Sequence, residues 1–153
     1  MTASCRICAA DNADESAIVF RDDLWTAHIV PGFDVPGWFF LRTIRHAERL
    51  VGLDDNELAT FARRARDLTA AVTSATGSEA AYMLMFGDNN PHFHVLIAAR
   101  GAEVSADRRG PDIMKLRYEQ TPEHAARAME LVPKVRQVYQ EMACADEATA
   151  KGR

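Results

Sequence analysis

The sequence predicts an α+β domain built around an antiparallel sheet of about five strands, with one long helix and a C-terminal helix. Short apolar runs bounded by tight turns indicate strands. Two longer segments carry helix start signals. The elements follow one another in the order strands, helix, strands, helix, which favours a layered α+β domain.

The first three strands are predicted in the N-terminal third of the chain. Residues 17–21 and 24–30 have the composition of two short strands that form a hairpin. Two turn signals follow, Pro31-Gly32 and Pro36-Gly37. The aromatic-rich run 38–41 comes next and is typical of a buried strand.

A long helix separates these strands from the last two. Asp54 with Glu57 three residues later makes a capping-box start, and Gly77 supplies a stop. Residues 81–86 and 93–99 flank a turn rich in Asp and Asn. We therefore expect them to be antiparallel neighbours.

The C-terminal part is predicted to hold an exposed loop and one helix. Residues 100–111 have the Gly, Ser, Asp and Arg content of a loop, and Pro122 suits the first position of a helix. Pro133 should kink or divide this helix, which we expect to end near Cys144. The prediction is a single domain over residues 1–144 with a flexible tail over 145–153.

Composition narrows the class of protein. The 153 residues are 48% hydrophobic and 26% charged, as in an average soluble domain, and the N-terminus has no signal-peptide pattern. We therefore expect a cytoplasmic protein that does not enter a membrane. A net charge of -4 argues against a nucleic-acid partner, since such proteins usually present excess Lys and Arg.

Two cysteines and two histidines form a candidate metal site. Cys5 and Cys8 have a spacing that lets both thiolates reach one ion, and His46 at the end of the third strand could join them with His92. Four such ligands would close a tetrahedral zinc site and leave no position for water, so the zinc would be structural. The alternative is that the cysteines are two unrelated residues in a flexible tail.

A second histidine lies two residues after His92. Side chains alternate along a strand, so His92, His94 and Leu96 share one face, and the other face belongs to the core. A histidine pair of this kind can be a metal site, a catalytic base or nucleophile with an orienting neighbour, or two hydrogen-bonded residues.

Taken together, these features resemble the histidine triad superfamily. The resemblance covers the Cys-x-x-Cys pair, two strands, an apolar strand ending in Arg45-His46, a long helix and the segment Pro91-His92-Phe93-His94. The family signature is His-x-His-x-His. Aligned to it, His92 is the first histidine, His94 the second, and Leu96 replaces the third. In an alternative register Asn90 is the first position and His92 the second.

The resemblance implies ligand and catalytic roles. Zinc-binding members and the related galactose-1-phosphate uridylyltransferases draw their ligands from the positions of Cys5, Cys8, His46 and His92. The second histidine, here His94, attacks the α-phosphorus of a nucleotide and forms a nucleotidyl-histidine intermediate. The family also implies a homodimer.

Departures from the signature leave three functional hypotheses. The first is a divergent hydrolase or nucleotidyl transferase that acts on a phosphoanhydride, ester or phosphoramidate through His94, with Asp88, Asn89 and Asn90 contacting the substrate. The second is a zinc-stabilised protein that binds a nucleotide or another ligand without turnover, since Leu96 offers no hydrogen-bond donor. His28 stands where the family often has an acidic residue or Asn for the ribose, and recruitment of the pocket to unrelated chemistry is a third possibility.

Overall fold

The computed structural model describes residues 5–12 and 14–152, and a five-stranded antiparallel sheet forms its centre. The strand order is β1-β2-β3-β5-β4, so β3 and β5 are central neighbours and β1 and β4 are the edges. The strands are β1 (Ile18–Arg21), β2 (Trp25–His28), β3 (Trp38–Thr43), β4 (Ala80–Leu84) and β5 (His94–Arg100). The predicted α+β fold, the hairpin and the antiparallel pairing of the last two strands are confirmed.

The sheet has two unequal faces. Phe39, Leu41, Val95 and Ile97 point into the main core, which two long helices cover. The opposite face carries a smaller apolar cluster that includes Trp38, Leu96, Ala98 and Ile113. The strict alternation along β3 and β5 produces this division. Leu96 therefore lies on the same face as His94, away from the main core.

The described residues include three α-helices, of which α2 and α3 pack on the sheet. The short α1 spans Arg6–Ala9 near the N-terminus, α2 spans Asp55–Thr76 and α3 spans Pro122–Lys151. Asp54 and Glu57 form the predicted capping box of α2, and Gly77 ends it in a left-handed conformation with φ 67°. Glu57 is buried and also forms an ion pair with Arg45, in which Arg45 Nη2 lies 2.6 Å from Glu57 Oε2. This ion pair fixes the segment after β3 against α2.

The C-terminal region differs from its prediction. Helix α3 continues to Lys151 instead of ending near Cys144, so most of residues 145–153 are helical. Pro133 does not divide the helix. It lies on the exposed side, where water can solvate the carbonyl that the proline leaves unpaired.

The predicted loop 100–111 leads into a 3-10 helical segment over Gly110–Glu119, for which the sequence predicted no helix. This segment packs Ile113 against the sheet face that carries Leu96. Within the described part of the chain, no helix has both the length and the apolar character needed to cross a membrane.

Candidate functional site

Four predicted ligands come together at the N-terminal end of β5. The side-chain ligand atoms of Cys5, Cys8, His46 and His92 all lie within 4.8 Å of one another. Cys8 Sγ lies 3.3 Å from His46 Nδ1 and 3.4 Å from His92 Nδ1, and Cys5 Sγ lies 3.6 Å from His92 Nδ1. Tetrahedral bonds to zinc would hold a sulfur and a nitrogen about 3.5 Å apart. The residues thus fit a Cys2His2 zinc site.

Hydrogen bonds to the far ring nitrogens support this assignment. His92 Nε2 lies 2.8 Å from the carbonyl oxygen of Thr43, and His46 Nε2 lies 3.3 Å from Glu48 Oε1. Because these oxygens only accept, the Nε2 atoms carry the proton and the Nδ1 atoms keep a lone pair for a metal. Burial lowers the pKa of His92, which also favours the neutral ligand form.

Local backbone structure aligns the two cysteines. Cys5 is the N-cap of α1, and its sulfur accepts a 3.4 Å hydrogen bond from the backbone N–H of Cys8. One helical turn therefore presents both sulfurs to the same point. The alternative of two unrelated residues in a flexible tail is wrong. With four protein ligands, a bound zinc ion would have no open position, so its role would be structural.

His94 is the first residue of β5 and lines two cavities that none of the four ligand residues lines. Its Nδ1 lies 2.7 Å from the backbone carbonyl oxygen of His92, which fixes the proton on Nδ1 and leaves Nε2 unprotonated in the neutral ring. The ring is half-buried beside Phe40, with centroids 6.1 Å apart. His92 precedes the strand in an isolated bridge to Glu48, so β5 begins at His94 and the part of the predicted face that lies within the strand consists of His94 and Leu96.

A cleft with two lobes, each about 250 Å³, surrounds His94. The first lobe lies toward α1 and β2 and includes His28 and Arg42. The second lobe lies toward the β4–β5 turn and includes Leu96. Both lobes share a set of wall residues, namely Phe33, Phe40, Asn90, His94 and Arg117. Together the lobes reach the size of common small-molecule sites.

The three residues predicted to contact substrate lie in this cleft. Asp88 and Asn89 line the second lobe, and Asn90 lines both lobes. All three belong to the turn between β4 and β5, as the sequence pattern indicated. The turn therefore brings their side chains to the same cavity as His94.

A buried polar network replaces the acidic position expected at the end of β2. His28 Nδ1 donates to the carbonyl oxygen of Ile29 at 3.0 Å, and His28 Nε2 accepts from Arg42 Nε at 3.0 Å. Burial, reinforced by the Arg42 charge, lowers the pKa of His28 to about 4. Arg42 is also buried and forms a 2.6 Å ion pair with Asp11. The network is internally satisfied and holds His28 neutral.

Sequence reasoning did not identify several cleft residues. Arg117 comes from the 3-10 segment, where the sequence predicted no element, and Phe33 follows the Pro31-Gly32 turn. No spacing rule links residues so far apart in the chain. The Arg42 position had a detectable signal, since an arginine inside an otherwise apolar strand needs a partner.

The chain was compared with protein families, curated protein sequences and solved structures. No protein-family model and no curated protein sequence matches the chain. Among solved structures, a hypothetical histidine triad nucleotide-binding protein from Sulfolobus tokodaii is similar with a TM-score of 0.67 at 21% identity, over 90% of this chain and 93% of that one. The chain has the histidine triad fold.

Two further structures with the histidine triad fold bear on the site. A Zn-bound histidine triad family protein from Mycobacterium smegmatis matches with a TM-score of 0.66 at 15% identity, over 93% of this chain and 97% of that one. A uridylyltransferase matches with a TM-score of 0.67 at 17% identity, over 91% of this chain but 48% of its own length. The predicted fold class is thereby confirmed, and the predicted zinc ligands lie together within it.

Proposed function

We propose that this protein is a nucleotide hydrolase or nucleotidyl transferase that uses His94 as its nucleophile. One observation carries the proposal: the carbonyl oxygen of His92 holds Nδ1 of His94 and leaves Nε2 as the free lone pair in a cleft. A neutral imidazole in a fixed tautomer is the form required for attack on phosphorus. The nucleotide-binding protein from Sulfolobus tokodaii and the uridylyltransferase share this fold and lend support.

The proposed reaction takes place in two displacements at phosphorus. His94 Nε2 donates its electron pair to the α-phosphorus, a P–N bond forms, and the bond from phosphorus to the leaving oxygen or nitrogen breaks. The leaving group departs with the electron pair of the broken bond and takes up a proton from solvent. Water or another acceptor then attacks the same phosphorus, loses its proton and releases His94. The substrate class is therefore a nucleotide phosphoanhydride, ester or phosphoramidate.

In this proposal the turn residues between β4 and β5 contact the substrate. Asp88, Asn89 and Asn90 line the cleft together with His94. Amides can donate to phosphate oxygens, and a carboxylate can accept from sugar hydroxyls.

The metal site has an indirect part in the proposed reaction. Zinc bound by Cys5, Cys8, His46 and His92 would supply structural cross-linking of the N-terminal segment to the sheet. His92 is the connection, since its ring belongs to the metal cluster and its carbonyl oxygen orients His94.

A second candidate function is ligand binding without turnover. The side chain of Leu96 is buried in the apolar cluster with Trp38 and Ile113 and can donate no hydrogen bond to a phosphate. Removal of one preorganised donor from a site of this kind costs about 3 kcal/mol of transition-state stabilisation. A pocket with intact binding residues and slow chemistry would behave as a binding protein.

We also propose that two copies associate along β4, in keeping with the homodimer expected from the resemblance. β4 is an edge of the sheet, and Met83, Met85 and Phe86 are exposed on or beside it. An exposed edge with apolar side chains is a favourable pairing surface. Light scattering at several concentrations tests this proposal, and a monomer at high protein concentration would contradict it.

Adduct trapping tests the catalytic proposal. Zinc-loaded protein is incubated with AMP esters, adenosine phosphoramidate and dinucleoside polyphosphates, and intact-mass spectrometry detects a nucleotidyl-protein adduct. His94→Ala should abolish both adduct and turnover. His124→Gln is a matched control, because it removes a histidine outside the cleft and glutamine can keep the capping box of α3. Absence of adduct and turnover in the parent would leave the binding function as the better account.

A further inference from the structure

Arg117 lines the same cleft as His94 and is held in place by two different contacts. Its guanidinium lies over the Phe33 ring, 3.8 Å from the centroid, and its Nε donates to the carbonyl oxygen of Gly32 at 3.3 Å. Gly32 has φ 83°, and its N–H bonds to Asp34, so the turn that offers this carbonyl is itself fixed. Stacking and the Nε hydrogen bond together restrict the orientation of the guanidinium.

The outer edge of this guanidinium is unused. Among residues 5–12 and 14–152, Nη1 and Nη2 of Arg117 donate no hydrogen bond, and no carboxylate forms an ion pair with them. Arg117 lines both lobes of the cleft, as His94 does. A charged fork with a fixed plane and a free edge is a suitable receptor for phosphate oxygens.

Other charged groups in the cleft do not offer the same receptor. Arg42 already donates hydrogen bonds to His28, Thr43 and Asp11. Arg6 is exposed, and it lines the first lobe but not the second. Asp88 is the acidic member of the second-lobe wall and would repel an anion.

We infer that Arg117 binds the phosphate of the ligand at His94 and supplies the donors that Leu96 lacks. This inference deepens the proposed function and depends on the same cleft. It assigns a binding residue from the 3-10 segment, outside the His-x-His motif, and identifies the ligand class as a phosphorylated nucleoside whose affinity depends on its phosphate.

Calorimetric binding of AMP, adenosine and inorganic phosphate to zinc-loaded protein tests the inference. Arg117→Gln should weaken AMP binding roughly tenfold to hundredfold, since a charge-assisted hydrogen-bonding partner is lost, and should leave adenosine affinity unchanged. The AMP affinity of Arg117→Lys should lie between those of the parent and Arg117→Gln, because lysine keeps the charge and loses the planar pair of donors. Arg63→Gln is the matched control, since Arg63 is exposed and pairs with Asp146 on α3.

The outcomes separate this inference from the catalytic proposal. Loss of the phosphate-dependent part of AMP affinity in Arg117→Gln, with normal zinc content and thermal midpoint, supports the inference even if the parent shows no turnover. Equal AMP affinity in parent and Arg117→Gln overturns it, even if the parent forms the His94 adduct. Equal loss of AMP and adenosine, or a parent that binds AMP no better than adenosine, also overturns it.

Discussion

The Nδ1 atom of His94 lies 2.7 Å from the backbone carbonyl oxygen of His92, a residue whose own ring belongs to the metal cluster. One residue, Phe93, separates His92 from His94 in sequence, and its side chain is buried in the main core. Displacement of His92 would therefore change the orientation of the His94 ring. Metal binding and the reactivity of His94 should be coupled through this contact.

We expect Cys8→Ser to reduce zinc content and, with it, both stability and adduct formation at His94. Cys8 Sγ lies close to both histidine rings, so its replacement removes a ligand from the centre of the cluster. Zinc content is measured by elemental analysis and stability by thermal unfolding. Cys144→Ser is the control, since Cys144 is exposed on α3 and outside the cluster. Full zinc content in Cys8→Ser would contradict the ligand assignment.

We expect Glu48→Gln to weaken zinc affinity by about tenfold, the low end for partners of metal-bound histidines. Glu48 Oε1 contacts His46 Nε2 at 3.3 Å and is more than half exposed, so water can partly replace it. Competition with a chromophoric chelator measures the change. Glu130→Gln, an exposed position on α3, should leave the affinity at the parent value.

Stability should fall between neutral and mildly acidic pH because of His28. Its pKa is about 4 in the folded protein and about 6.5 in the unfolded chain, so the unfolded state takes up the proton first. The stabilisation is present above the unfolded pKa and is lost as pH falls toward the folded pKa. Linkage gives a loss of about 2 kcal/mol between roughly pH 7.5 and 5.

Urea unfolding of parent and His28→Gln at both pH values measures this loss. Glutamine can accept from Arg42 and does not titrate, so the variant should lose about 2 kcal/mol less than the parent over this range. The difference between the two proteins cancels the titration of the zinc ligands, which both share. Parallel pH profiles for parent and variant would show that His28 does not keep its low pKa.

Much of this fold could be predicted because local signals agree with it. The capping box at Asp54 and Glu57, the stop at Gly77 and the turns at Pro31-Gly32 and 87–90 set the element boundaries. The predicted end of α3 was wrong because no glycine or proline follows Cys144 before Gly152, and the alanine-rich sequence there is a good helix former.

The metal ligands could be predicted because Cys5 and Cys8 have a metal-binding spacing, and because the family resemblance assigns His46 and His92 to the same site. The residues that form the wall of the cleft could not be predicted from the sequence. Arg117 reaches the cleft through the packing of the 3-10 segment, and Asp11 reaches Arg42 across 31 positions in sequence. Contacts of this kind depend on tertiary packing and have no local periodicity.

Leu96→Gln should partly restore function to Arg117→Gln. The amide would stand beside His94 on the same face of β5, where it can donate to a bound phosphate, while its burial in the apolar cluster should lower stability by about 1–3 kcal/mol. The rate of adduct formation is measured in the parent, both single variants and the double variant. If both residues serve the same phosphate, Leu96→Gln should raise the rate by a larger factor in the Arg117→Gln background than in the parent. Equal factors in the two backgrounds would mean that the two positions act on the ligand independently.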